Sequence, residues 1–175
     1  VYESAKKEVN NSKKKFSYTG IDLNRKRLDQ ACLYIGSLIN KTIIPCHDGK
    51  RIKTFIECER FCFSFEFIHG NAIKILREEP ETQEKYDLVF IDAAKYQYPH
   101  YLEAVRNKIG VGCAVIADNI FYNGKIFKEE TLKHDANSVA GLTEYLRIIN
   151  KQGTFETSLF NIGDGIAFSL YKKDK

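Results

Sequence analysis

Tyr86-Asp87-Leu88-Val89-Phe90-Ile91 is a short, nearly continuous apolar run that stops on a carboxylate, Asp92. A run of this length, rich in branched and aromatic side chains, reads as a strand, and its lack of polar alternation suits a sheet covered on both faces. Strands of that kind are parallel and need helical crossovers, so the feature points to an α/β domain. Two other runs repeat the pattern: Tyr18-Thr19-Gly20-Ile21 before Asp22, and Val115-Ile116-Ala117 before Asp118. In a doubly wound parallel sheet such strand ends share one edge, where ligands bind. An acidic residue after a strand also caps the next helix. Either reading is open for each alone; three together favour a site.

The remaining sequence supplies the crossovers. Helix is expected over 1–9, a strand over 16–21, and a helix over 25–39 with Leu28, Cys32, Ile35 and Ile39 on one face. Residues 43–60 contain the turn-like Pro45-Cys46-His47-Asp48-Gly49 and are read as an inserted excursion. A strand over 61–68, a turn at His69-Gly70-Asn71 and a short helix over 72–77 precede the run at 86–91. Helix 98–108, strand 112–117 and helix 137–150 follow. Segments 154–162 and 166–171 flank Gly163-Asp164-Gly165, the composition of a hairpin turn. The expectation is one domain over 1–175, a doubly wound and mostly parallel sheet closed by an antiparallel hairpin.

Composition narrows the class. A chain of 175 residues that is 43% hydrophobic can bury one sizeable core. The net charge of +4 is spread thinly, with no concentrated basic and aromatic stripe of the kind that marks a nucleic-acid surface. No stretch approaches the roughly 20 apolar residues of a membrane span, and no secretory leader is visible, so a soluble, cytoplasmic protein is expected. Five cysteines without regular spacing are expected as thiols. Cys46, His47, Cys58 and Cys62 match no paired zinc knuckle. The chain starts at Val1 and has no methionine, so it is expected to belong to a longer polypeptide.

Chemistry gathers after the strands. Asp92 and Lys95 are three residues apart, and Asp118 and Asn119 are adjacent. Two carboxylates and an amide oxygen make a hard donor set suited to Mg²⁺ or Ca²⁺ and able to take Mn²⁺. A dication nearby disfavours the ammonium form of Lys95, leaving an amine that can accept a proton. The bland alternative is a surface Asp–Lys pair of little energetic weight.

These residues resemble a known family. Tyr86-Asp87-Leu88-Val89-Phe90-Ile91-Asp92-Ala93-Ala94-Lys95, with Tyr98 and Tyr101 after it, is similar to the signature of the cation-dependent O-methyltransferases that include the catechol and caffeoyl-CoA enzymes. Ala117-Asp118-Asn119 with Asn123-Gly124 resembles their second signature, and Asn161-Ile162-Gly163-Asp164-Gly165 their closing hairpin. The resemblance runs over residues 18–172. It implies a class I, Rossmann-like sheet, S-adenosylmethionine as methyl donor, and a divalent cation (Mg²⁺, Mn²⁺ or Ca²⁺) held by Asp92, Asp118 and Asn119. It also implies Lys95 as general base, Asp92 beside the methionine part of the cofactor, and Asp22 on the ribose hydroxyls. Gly70-Asn71-Ala72 falls where the family usually has Gly-Asp-Ala beside the adenine; with Asn71 in place of the acid, a simple turn is equally open.

The implied acceptors are catechol-like phenols, coenzyme A esters or a hydroxylated uridine in tRNA, and a homodimer is expected. The family's first strand and glycine-rich loop should precede Val1; without them cofactor binding is expected to be weak and an apolar edge exposed. The 43–60 excursion is longer than the family's connection. Cys113, where a second glycine is common, is expected as a buried strand residue. Tyr96, Tyr98 and Tyr122 either border an acceptor pocket or pack; His100 and His134 have no visible partner. Two rivals remain. An NAD-dependent Rossmann oxidoreductase would share Asp22 but has no use for Asp118-Asn119 beside Asp92, and an inactive methyltransferase-like module would bind RNA or protein.

Overall fold

A computed structural model describes residues 14–38, 51–57, 61–80 and 85–172. The helix expected over 1–9 and the residues Cys46, His47 and Cys58 lie outside them. The chain divides into two compact units, Val1–Ile75 and Leu76–Lys175.

In the first unit β1 (Lys14–Asp22) is followed by α1 (Arg25–Leu38), β2 (Arg51–Glu57) and β3 (Phe61–His69). The sheet order is β1-β3-β2, with β1 parallel to β3 from Lys14 opposite Phe61 to Asp22 opposite His69. β2 runs antiparallel to β3. Within the inserted excursion read over 43–60, the described part, 51–57, is a sheet strand that was not expected. Mixed charged and apolar residues there hid a strand whose pattern is set by β3, its partner. Asn24 starts α1, its Oδ1 accepting the Lys26 amide at 3.0 Å, as an N-cap does. Leu28 and Cys32 then point inward, packing with Ile52 and Phe67, while Ile35 is half-buried against them.

The second unit contains β4 (Tyr86–Ile91), α3 (Tyr98–Val105), β5 (Ile109–Asp118), α4 (Ala136–Ile149), β6 (Phe155–Phe160) and β7 (Ile166–Tyr171). Its sheet order is β4-β5-β7-β6, parallel between β4 and β5 and antiparallel elsewhere. The helix α2 (Ala72–Glu78) contains the boundary between the units. The hairpin expected at the end of the chain is β6–β7, turning at Gly163-Asp164-Gly165. Cys113, Val115 and Ala117 alternate inward along β5 and meet Ala167 and Tyr171 of β7 in a core with Leu102, Leu142 and Ile149. Cys113 is therefore the buried strand residue expected; desolvation first, then Asp87, pushes its thiol up to about 11. Cys32, Cys62 and Cys113 are free thiols. Among the described residues, no helix is long and apolar enough to cross a membrane.

One expectation about β4 fails. Val89 and Ile91 face the core, but Leu88 and Phe90 are 57% and 58% exposed, so one face of this strand is open. β4 is an edge strand of its sheet, as β1 is of the other, and Phe16 and Tyr18 of β1 are also exposed. A strand's own residues announce that both faces are apolar; what covers each face is decided by other elements.

The core of the second unit has one internal mismatch. Tyr145 is fully buried and packs edge-on against Tyr98, ring centroids 5.5 Å apart, yet among the described residues its hydroxyl has no hydrogen-bond partner. A buried unsatisfied hydroxyl costs more than it returns. Tyr145→Phe keeps the ring contact and is expected to raise the unfolding free energy by about 1 kcal/mol. Urea titration checks this; a comparable loss would show that the hydroxyl is used.

Candidate functional site

The parallel pairing of β4 and β5 places Ile91 opposite Ala117, so Asp92, just past β4, and Asp118, the last residue of β5, come at the same end of the two strands. After Asp92 a 3₁₀ turn, Lys95–Gln97, leads into α3. The turn returns the Lys95 side chain over the strand ends. Its Nζ lies 2.6 Å from the Tyr98 hydroxyl, 3.0 Å from Asn119 Oδ1, 3.2 Å from the Asp118 carbonyl oxygen and 3.5 Å from Asp92 Oδ1. Lys95 is only 14% exposed, whereas Asp92 opens to solvent. The structure thus gathers Asp92, Lys95, Asp118 and Asn119, the four residues expected to act together.

Tyr98 is the piece that sequence reading left undecided. It is fully buried, with its hydroxyl 2.7 Å from the Asp118 carbonyl oxygen and 3.3 Å from that of Ile91. It therefore tethers both strand ends and accepts from Lys95, instead of lining an open acceptor pocket. Desolvation, then the charge of Asp92, pushes its phenol well above the usual range, so it stays a donor. Tyr96, next to Lys95, is exposed.

Asn119 reaches Lys95 because its backbone is left-handed (φ 54°), a conformation Asn tolerates better than most residues. Its amide donates to Asp118 Oδ1 at 2.7 Å. The following loop is fastened to the Gly163-Asp164-Gly165 turn. Ile120 and Phe121 amides donate to the Gly165 and Asp164 carbonyls, and the Asn123 amide to Asp164 Oδ1 at 2.7 Å. Gly165 has φ +85°, and a Cβ there would run into the Phe121 ring. The hairpin motif noticed at the end of the sequence is thus a clamp on the loop after Asn119.

Gly141 in α4 was not singled out from sequence. A Cβ on it would lie 2.6 Å from Tyr96 Cα and 2.8 Å from the Lys95 carbonyl oxygen, so the missing side chain lets α4 lie directly on the Lys95 turn. Gly to Ala inside an ordinary helix stabilises by about 1 kcal/mol. Here Gly141→Ala is expected instead to cost about 1–3 kcal/mol through overpacking and to displace Lys95. Denaturant unfolding, with amide chemical shifts of 95–97, would show it; a gain in stability with unmoved shifts would refute it.

The other predicted residues lie in the first unit. Asp22 Oδ1 accepts the Asn24 amide at 2.7 Å, and Oδ2 pairs with Arg27 at 3.3 Å. The Gly70 amide donates to the Asp22 carbonyl at 3.0 Å, joining the ends of β1 and β3. Gly70 has φ +152°, and a Cβ would press on Ile75, which explains the glycine. Asn71 Oδ1 accepts the Lys74 amide at 3.1 Å, capping α2, with Ala72 as the first helical residue. Asp22, Gly70, Asn71 and Ala72 therefore share one sheet edge, and the structure shows Asp22 and Asn71 in capping roles.

His100 and His134, left without partners in the sequence, lie 4.0 Å from Glu103 and 3.3 Å from Asp135. Tyr122 donates to Asp135 at 2.9 Å. Sequence reading missed Asp135 entirely.

No set of three or more His, Cys, Asp or Glu side chains clusters as a metal site among the described residues. The donors at the strand ends are two carboxylates with an amide oxygen, and a cationic group, the Lys95 ammonium, already stands among them. By their chemistry, hard oxygens, these donors are of the kind that hold Mg²⁺, Ca²⁺ or Mn²⁺.

Residues 47–172 match the family model described as O-methyltransferase. A caffeoyl-CoA O-methyltransferase of Populus kitakamiensis is 29% identical over 105 residues, 57% of this chain and 45% of that protein. The tapetum-specific methyltransferase 1 of Arabidopsis thaliana is 30% identical over 110 residues, again 57% of this chain and 44% of the relative. The chain thus spans less than half the length of these two proteins. Among solved structures, the Bacillus cereus O-methyltransferase in complex with SAH superposes with a TM-score of 0.66, covering 93% of this chain and 76% of that one at 17% identity. At that identity the likeness is one of fold, the α/β class expected from the strand pattern.

Proposed function

Because the chain belongs to the O-methyltransferase family, we propose that it moves the methyl group of S-adenosylmethionine to a hydroxyl oxygen, with Lys95 as general base and Asp92, Asp118 and Asn119 as the ligands of a divalent cation. The observation that carries the reading is the placement of Lys95 Nζ within 3.5 Å of oxygens from all three other residues. S-adenosylmethionine supplies an electrophilic methyl on a sulfonium, and a Mg²⁺, Mn²⁺ or Ca²⁺ ion supplies acidity to the acceptor hydroxyl. In the transfer a carbon–oxygen bond forms as the carbon–sulfur bond breaks, leaving S-adenosylhomocysteine. Lys95 would take the hydroxyl proton as an amine, its ammonium form being disfavoured once a dication is bound beside it.

The chain's own residues do the positioning. Tyr98 holds Lys95 at the strand ends, so the base need not be ordered during reaction. In the first unit, Asp22 is proposed to accept from the ribose hydroxyls, with Gly70, Asn71 and Ala72 beside the adenine. For Asp22 this requires carboxylate capacity beyond its bonds to Asn24 and Arg27. In the second unit, Asp92 is proposed to lie near the methionine part of the cofactor.

The acceptor class follows less directly. Tyr96, exposed next to Lys95, supports a planar phenol, as the name of the Populus relative would suggest, over a hydroxylated tRNA uridine. The test is transfer of labelled methyl from S-adenosylmethionine to catechol, to a caffeoyl ester of coenzyme A and to hydroxyuridine-containing tRNA, each with Mg²⁺ and with chelator. Mg²⁺-dependent methylation of the phenols is expected. Methylation of tRNA alone would overturn the phenolic assignment, and chelator-insensitive turnover the metal ligands.

A further inference from the structure

The loop after Asn119 has an unusual backbone. Asn119, Tyr122 and Asn123 are all left-handed, with φ of 54°, 50° and 53°, and Gly124 follows at 73°. L side chains rarely adopt this conformation, and several within one loop persist only where surrounding structure enforces them. The Asp164 clamp described above holds one side of the loop. The other side is held from the start of α4.

There the Asp135 carboxylate is almost wholly buried, 4% exposed. Its Oδ1 accepts from the Tyr122 hydroxyl and from Lys125 Nζ, each at 2.9 Å. Its Oδ2 lies 3.3 Å from Nε2 of the exposed His134. Lys125 Nζ also sits 4.7 Å from the Tyr122 ring centroid, a cation–π contact that closes the group. The Lys125 amide donates to the Tyr122 carbonyl, and the Tyr122 amide to the Asn119 carbonyl. A continuous chain of bonds therefore runs from Asp135 through Tyr122 to the backbone of Asn119.

We propose that Asp135 is a positioning residue for the candidate metal site: from the start of α4 it holds Tyr122 and Lys125, and through them the left-handed turn that presents Asn119. This rests on the reading of Asn119 as a cation ligand. The Asp135 side chain accepts no hydrogen bond from the first amides of α4, so its buried charge serves the loop and not the helix it precedes. The Lys125 hydrogen bond above all holds its carboxyl below the usual carboxylate range, so it is ionised at neutral pH. Residues that orient metal ligands without touching the metal typically carry a 10–100-fold share of affinity.

The experiment uses Asp135→Asn and the milder Tyr122→Phe, which removes one donor and leaves the carboxylate paired with Lys125. Two readouts are taken well below the unfolding transition of each variant. Amide hydrogen exchange reports the loop without any metal: exchange at Tyr122 and Lys125 is expected to speed up at least tenfold, while the middle of α4 stays protected. Mn²⁺ affinity, from water-proton relaxation, is expected to fall about tenfold in Asp135→Asn and less in Tyr122→Phe. Unchanged loop exchange in both variants would overturn the proposal. So would unchanged Mn²⁺ affinity despite a lowered unfolding midpoint, the mark of a purely structural residue. If the parent protein binds no Mn²⁺ while the loop still loosens, the cation reading fails and this role falls with it, although Asp135 then remains the brace of the loop.

Discussion

Replacing Lys95 with methionine is expected to lower methyl transfer by roughly 10²–10⁴-fold, the usual weight of a general base, without weakening the affinity for Mn²⁺. Methionine keeps most of the apolar stem that runs over the strand ends and removes only the amine. The Tyr98 hydroxyl loses the group that donates to it at 2.6 Å but keeps its own bond to the Asp118 carbonyl, so the fold should be little changed. With the ammonium gone, Asp92 Oδ1 and Asn119 Oδ1 lose a competing positive charge, and Mn²⁺ binding should hold or strengthen. A single-turnover assay and a Mn²⁺ titration separate the two effects. Turnover within a few-fold of the parent would remove Lys95 from the chemistry, and a large loss of Mn²⁺ affinity would make it a structural prop.

The second large effect concerns Asp118. Asp118→Ala removes a proposed ligand and also the acceptor of the Asn119 amide, so it should lose the cation and loosen the turn together. Asp118→Asn separates these roles: its amide oxygen can still accept from Asn119, but the negative charge is gone. Both variants are expected to lose Mn²⁺ affinity by more than the 10–100-fold typical of an outer residue. Only the alanine variant should also speed exchange of the 119–123 amides. Loss of turnover with unchanged Mn²⁺ affinity in both would show that Asp118 acts on cofactor or acceptor instead.

What could be seen in the sequence was whatever a local pattern expresses. Apolar runs ending in Asp22, Asp92 and Asp118 announce strands and place their ends on an edge, and the Asp92–Lys95 spacing becomes a real contact because the chain bends at Ala93 before the 3₁₀ turn that begins at Lys95. The 163–165 turn was legible as a hairpin, but its grip on the 120–123 backbone was not, since the bonds cross some forty residues. Gly141 looks like an ordinary small residue in a helix; its meaning lies in the Lys95 backbone it touches. Asp135 belongs to no motif, and Lys125, ten residues away, becomes its partner only once the loop turns back. The strand at 51–57 was hidden for a similar reason, because its pairing with β3 outweighs a mixed local composition.

The reading as a methyltransferase with a cation site is tested most directly by calorimetric titration of S-adenosylhomocysteine into the longer polypeptide that carries the family's first strand and glycine-rich loop, with and without Mg²⁺. Saturable binding of one equivalent, accompanied by a separate Mg²⁺ isotherm that Asp118→Asn abolishes, is the expected result. Absence of S-adenosylhomocysteine binding by folded protein in either condition would contradict it and leave the domain as a methyltransferase fold used for something other than methyl transfer.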